Sequence, residues 1–243
     1  MSYIARKALK AGRLVRRHAF RRGLFYGIAA AIEHEEILRP LELRTIVDIG
    51  ANIGQFSLLA RALFPRAKIF AFEPQEGPAA KYRRFFHADG AVLYRSAIGS
   101  NSGIAPMYIS RRHDSSSFLP VTPAMPELFP GTEIVRTDSV PIAPLREFLS
   151  PTDIVGPALL KIDVQGAELD VLRGCEDLLE KFDLLYIELS FRELYAHQPL
   201  CDDVIRYLDD QGFQTAGVAN ISRRGGTPIQ ADFLFRPKKS VAA

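Results

Sequence analysis

Tryptophan is absent from this 243-residue chain, and cysteine occurs only twice, at Cys175 and Cys201, with no C-x-x-C pair. Two isolated thiols supply neither a disulfide framework nor a zinc site, so a reducing, cytoplasmic setting is expected. Long apolar runs are missing as well. The longest candidate, Gly23–Ile32, is well short of the roughly 20 residues that cross a bilayer, and no small-residue cleavage site clearly follows it, so no cleaved signal is expected. Acidic side chains are missing from the first 22 residues, which carry eight basic ones between Arg6 and Arg22. The formal net charge is only +3, so the rest of the chain is mildly acidic. That sign, and the shortage of aromatics among the arginines, argue against a nucleic-acid partner.

What is present is ordered around residues 45–54, TIVDIGANIG. The β-branched run Thr45–Val47 ends at Asp48, a glycine turn follows, and Gln55–Phe64 continues with helical apolar spacing. Strand, turn and helix make the first unit of a parallel sheet that carries a nucleotide-like ligand at its carboxyl edge. Gly50 and Gly54 permit the close backbone approach, and the N–H groups around Asn52–Gly54 face a carboxylate or phosphate. Asn52 stands where a dinucleotide fold has its second glycine, which disfavours a pyrophosphate ligand. Glu73, ending the strand at 68–72, is an acid placed to accept both ribose hydroxyls, and Pro74 stops that strand.

Further along, helix 77–87 and strand 91–94 lead to Ser96 and Ala97, at the edge where an adenine ring would lie. Residues 98–144 change character, with strands at 104–110 and 132–141 and a proline-rich loop at 120–130. They form an insertion at the carboxyl edge of the sheet, suited to a lid or substrate wall. The run 158–164, ALLKIDV, is a buried strand ending in Asp163, and helix 167–182 follows with Cys175 on its packing face. Strand 183–189 brings Glu188 near its end, helix 202–211 closes at Gly212, and strands 214–218 and 231–236 form an antiparallel edge. The fold expected is α/β, Rossmann-like and doubly wound, with a mostly parallel seven-stranded sheet and an antiparallel C-terminal hairpin. Residues 41–243 form that domain, and 1–40 form a basic helical arm. The arm is either a solvated cap or, through residues 1–25, a peripheral contact with an anionic membrane face. The cluster Glu33-His34-Glu35-Glu36 reads as a solvated helix face and not as a metal site, since adjacent helical residues face apart.

Several blocks together resemble the FkbM family of methyltransferases: VDIGANIGQFS (47–57), FEPQ (72–75), AIGSNSG (97–103), DSSS (114–117), LLKIDVQGAELDVLRG (159–174) and LLYIELS (184–190). The resemblance runs from about residue 44 to the end. It implies S-adenosyl-L-methionine as cofactor and methyl transfer, most often to a hydroxyl oxygen of a sugar, glycan, glycolipid or polyketide-type acceptor. The cofactor set it implies is Asp48, Gly50, Asn52, Gly54, Glu73, Pro74, Ser96, Ala97 and Asp163. Where the family often has an asparagine before the alanine of its third block, this chain shows Arg95-Ser96-Ala97, which weakens a side-chain contact to adenine.

Asp163 is the first candidate for base or substrate anchor, followed by Glu168 and Glu188. His113 in the insertion is a further base, since an ordinary imidazole titrates near neutral pH, and His197 is similar. No metal requirement is expected. An NAD-dependent oxidoreductase on the same sheet and a non-catalytic membrane- or partner-binding module stand as the competing readings, and a homo-oligomer stays open.

Overall fold

A computed structural model describes residues 18–238. Helix α1 (His18–Phe25) and the short helix α2 (Glu35–Leu38) precede β1 (Thr45–Ile49), α3 (Gln55–Leu63), β2 (Lys68–Phe72), α4 (Glu76–Phe86) and β3 (Val92–Tyr94). The insertion follows, with β4 (Ala97–Ile98), β5 (Gly103–Ser110), the one-turn helix α5 (Ala124–Leu128) and β6 (Ile134–Ala143). The chain then runs through β7 (Ala158–Ile162), α6 (Glu168–Gly174), α7 (Glu176–Leu179), β8 (Leu184–Ser190), α8 (Cys201–Asp210), β9 (Phe213–Arg224) and β10 (Thr227–Pro237).

The main sheet has seven strands in the order β3-β2-β1-β7-β8-β10-β9. β1, β2, β3, β7 and β8 are parallel, while β10 runs antiparallel to both β8 and β9. This is the expected doubly wound sheet with a reversed C-terminal pair. β7 is buried at every position, as a strand covered on both faces should be. One face packs Val47, Ile49, Leu160 and Ile187 against Leu172, Leu179 and Leu208 of α6–α8. The other packs Ile46, Ile69, Leu159 and Tyr186 against α3 and α4. A separate sheet of β4, β6 and β5 holds the insertion over the carboxyl edge.

Four expectations change. Residues 18–40 are not one helix: α1 ends at Phe25, a 3-10 turn spans Ile32–His34, and Phe20, Ile28, Ile32 and Leu38 are buried in the core shared with α3. The basic stripe before residue 18 lies outside the described residues. The proline-rich stretch at 120–130 contains α5, where Pro126 falls within the first turn and removes no interior hydrogen bond. The helix expected at 167–182 is broken at Cys175 into α6 and α7. Finally, β9 and β10 are each about twice their expected length. Gly225 and Gly226, at φ 55° and 85°, close a tight two-residue turn that lets the strands pair to their tips.

Candidate active site

A cavity of about 950 Å³ opens at the carboxyl edge of the sheet. Its walls include the turn after β1, the ends of β2 and β7, the insertion, and residues 27–34. The turn is built on Gly50, at φ 78°. A Cβ there would overlap the Asp163 carbonyl oxygen, because the turns after β1 and β7 press together at this point. Asn52 also has a left-handed backbone, φ 50°. Its Oδ1 is buried without a hydrogen-bond partner, an unusual state for a buried polar atom that borders a cavity.

Glu73 is 3% exposed and lines the cavity beside this turn. Its two oxygens accept the Asn52 N–H at 2.9 Å and the Gln75 N–H at 2.8 Å. Burial pushes its carboxyl up to about 7, against those N–H donors and the Lys161 ammonium. The amides of Asn52 and Gly54 are therefore already engaged, the latter with the Ala51 carbonyl.

Of the residues singled out from the sequence, Gly50, Asn52, Glu73, Pro74, Ala97, His113, Asp163, Glu188 and His197 border the cavity. Asp48, Gly54, Ser96 and Glu168 do not. Asp48 is wholly buried beneath the turn, where its carboxylate accepts the Ser57 hydroxyl at 2.7 Å and faces the Lys161 ammonium at 3.0 Å. The Ser96 hydroxyl donates to the carbonyls of Ala97 and Pro141, so it ties the start of β4 to β6 and does not reach for a ring. Glu168 is 4% exposed and accepts the Gly166 N–H at 2.9 Å, shaping the turn after β7. Burial raises its carboxyl to about 7.

Two residues that sequence reasoning passed over hold the site together. Lys161 is a charged residue in an otherwise apolar buried strand, and that mismatch was the available signal. Its ammonium lies 3.0 Å from Asp48 Oδ1, donates to the Gly50 carbonyl at 3.0 Å, and stands 3.9 Å from Asp163. Burial alone would drive its proton off, but the carboxylates of Asp48, Asp163 and Glu188 hold the ammonium above its ordinary range. Gln165, at φ 61°, donates from one amide nitrogen to both Asp163 Oδ1 (2.8 Å) and Glu188 Oε2 (3.1 Å). Its own oxygen accepts the Tyr195 hydroxyl at 2.9 Å, and its backbone carbonyl accepts the Ser117 hydroxyl at 2.6 Å. Gln165 thus couples the two carboxylates to the DSSS tract of the insertion. Glu188 also accepts from Gln230, and burial plus the charges of Asp163, Asp232 and Glu168 raise its carboxyl well above the ordinary range.

His34 is not on a solvated face. It is half-buried, borders the cavity and contacts Asp232 and Tyr186. Among the described residues no group of three potential ligands could hold a metal ion. No helix there is long and apolar enough to cross a membrane.

Residues 48–215, well over half of the chain, match the Methyltransferase FkbM domain. The chain is 29% identical over 205 residues to the 2-O-methyltransferase NoeI of Sinorhizobium fredii, covering 78% of this chain and 84% of that protein. It is 28% identical over 156 residues to Methyltransferase 1 of Beauveria bassiana (58% and 61%). It is also 28% identical over 147 residues to the hexuronic acid methyltransferase AglP of Haloferax volcanii (58% and 54%). The chain thus spans less than two thirds of the last two. A solved structure described as an rRNA-methylase from Clostridium thermocellum shares the fold, with a TM-score of 0.50 at 9% identity over 87% of this chain and 98% of that one. The chain belongs to the FkbM family of methyltransferases, whose methyl donor is S-adenosyl-L-methionine.

Proposed function

We propose that the protein transfers a methyl group from S-adenosyl-L-methionine to a hydroxyl oxygen of a sugar-type or related small-molecule acceptor. The observation that carries this is Glu73, a cavity carboxylate at the end of β2 beside the Gly50–Asn52 turn. A nucleoside with an amino-acid tail fits these residues. Glu73 would hold the ribose hydroxyls. Gly50 and Asn52, whose Oδ1 has no internal partner, would meet the methionine end. Ala97 and Ile98 would border the base. When bound, the cofactor supplies a methyl carbon already activated on a sulfonium.

The protein's share is alignment and proton removal. Asp163 and Glu188, held at fixed separation by Gln165, receive hydrogen bonds from the acceptor's hydroxyls. Such positioning contributes up to several kcal/mol. The insertion, residues 98–144, supplies the acceptor wall through Pro106, Met107, Phe118 and Phe129. Arg112, Lys161 and Arg173 also border the cavity.

A thermal-shift series tests the reading. S-adenosylmethionine and its demethylated product should raise the melting temperature, and NAD should not. Stabilisation by NAD alone would overturn it.

A further inference from the structure

His34, which borders the cavity, meets Tyr186, Asn220 and Asp232. Only Tyr186 falls inside residues 48–215, so three of the four come from outside the family match. Asp232 is 6% exposed, and its Oδ2 is the hub. It accepts the Asn220 side-chain amide at 2.7 Å and the Tyr186 hydroxyl at 3.0 Å, and lies 3.1 Å from His34 Nδ1. Burial by itself would raise this carboxyl. The donors at His34, Asn220 and Tyr186 hold it below its ordinary range instead.

Three polar groups surround His34 Nδ1. Asp232 Oδ2, the Tyr186 hydroxyl at 2.9 Å and the Asn220 amide nitrogen at 3.0 Å all crowd it. A bare Nδ1 would turn its lone pair against the anionic oxygen, which favours the tautomer with the proton on Nδ1, donated to Asp232. His34 borders the cavity, and its Nε2 has no hydrogen-bond partner among the described residues. In that tautomer Nε2 carries the lone pair.

The backbone is bent to serve this cluster. Asn220 has φ 50°, and the pairing of β9 with β10 slips between Gln230 and Asp232, opposite it. A bulge of this kind re-aims a side chain. All four non-glycine residues with positive φ among the described residues, Asn52, Gln165, His197 and Asn220, border the cavity or touch this cluster. The Phe56 ring spans the gap to the methionine end. Its centre lies 5.7 Å from the His34 ring and 5.6 Å from Lys161 Nζ.

We propose that His34 is the proton acceptor for the acceptor hydroxyl and that Asp232 is its positioning residue. The inference rests on the methyl-transfer reading. The acceptor oxygen forms the new C–O bond as the S–CH3 bond breaks, and that bond's electron pair stays on sulfur. The hydroxyl proton passes to Nε2, giving an imidazolium paired with the Asp232 carboxylate. The oxygens of Asp163 are less available for this step: one accepts Gln165 and the other faces the Lys161 ammonium.

The test is nitrogen-15 NMR of the imidazoles in the full chain, with and without S-adenosylhomocysteine. There are five histidines, and His34→Gln assigns the signal. The expected result is a proton on Nδ1 and a lone pair on Nε2, with that preference lost in Asp232→Asn and kept in Tyr186→Phe. A proton on Nε2 in the wild type, or an unchanged tautomer in Asp232→Asn, would overturn the proposal. The wild-type spectrum decides even where a variant fails to fold. With any hydroxyl acceptor that the wild type methylates, His34→Gln should lower kcat by ~10²–10⁴-fold while leaving S-adenosylhomocysteine affinity within about threefold; an unchanged kcat contradicts it. Failure of the wild type to bind S-adenosylmethionine in calorimetry would instead remove the methyl-transfer reading and leave the tautomer result standing.

Discussion

The Lys161 ammonium sits 3.0 Å from the Asp48 carboxylate and 3.0 Å from the Gly50 carbonyl, at the floor of the cavity. One buried ion pair therefore supports the turn that faces the ligand. Asp48 itself, expected at the methionine end, acts from beneath that turn. Removing one member of such a pair leaves an uncompensated charge, which costs roughly 3–5 kcal/mol. Lys161→Met should destabilise the protein by about that much in urea unfolding, and Lys161→Met with Asp48→Leu should recover most of the loss. A single variant as stable as the wild type would contradict the role given to the pair.

Gly50→Ala should be more damaging at the site than in the fold. The added Cβ meets the Asp163 carbonyl, and the left-handed backbone costs a further ~1–3 kcal/mol. The expected outcome is a folded but less stable protein whose S-adenosylmethionine affinity in calorimetry falls at least tenfold. Unaltered affinity would show that the turn does not approach the ligand.

Glu73 and Glu168, both raised from 4.5 to about 7, make ligand-free stability depend on pH in a definite direction. Their folded forms keep a proton that the unfolded chain has released. The stabilisation is complete below about 4.5 and is lost as pH rises through about 7, amounting to roughly 3 kcal/mol for each group. Urea unfolding should therefore give a less stable apoprotein at pH 8 than at pH 5, with a smaller difference in Glu168→Gln. Glu188 adds in the same sense, while Asp232, held low, opposes it only in stronger acid. Stability that climbs steadily over this range would contradict the burial of these carboxyls.

Gln165→Leu should separate binding from turnover. It removes the amide that joins Asp163 to Glu188 and leaves two carboxylates facing each other without a donor between them. Cofactor affinity should stay within about threefold, and turnover on any methylated acceptor should fall by ~10² or more, as misplacement near the reacting atoms does. Loss of cofactor binding with turnover per bound cofactor intact would reverse that assignment.

The sheet was legible because its strands and helices each repeat a local rule. Residues 45–63 alternate from β-branched run to glycine turn to helical spacing, and the structure reproduces each step. The places of Gly50 and Glu73 at the cavity were legible for the same reason: each directly follows a strand of the parallel sheet. Lys161, Gln165 and His34 were not, because each is defined by partners far away in the chain. Lys161 needs Asp48 to be tolerable in a buried strand, Gln165 needs Glu188, and His34 needs Asp232. Local reading put His34 on a solvated face beside three acids. The fold turns it instead toward a carboxylate on the last strand.

The central claim, a sulfonium nucleoside held at the carboxyl edge by Glu73, is tested most directly by calorimetry of S-adenosylmethionine with the wild type and Glu73→Ala. Losing the bonds to both ribose hydroxyls should cost about 3 kcal/mol, or roughly a hundredfold in Kd. Equal affinity in a folded Glu73→Ala protein would contradict the account.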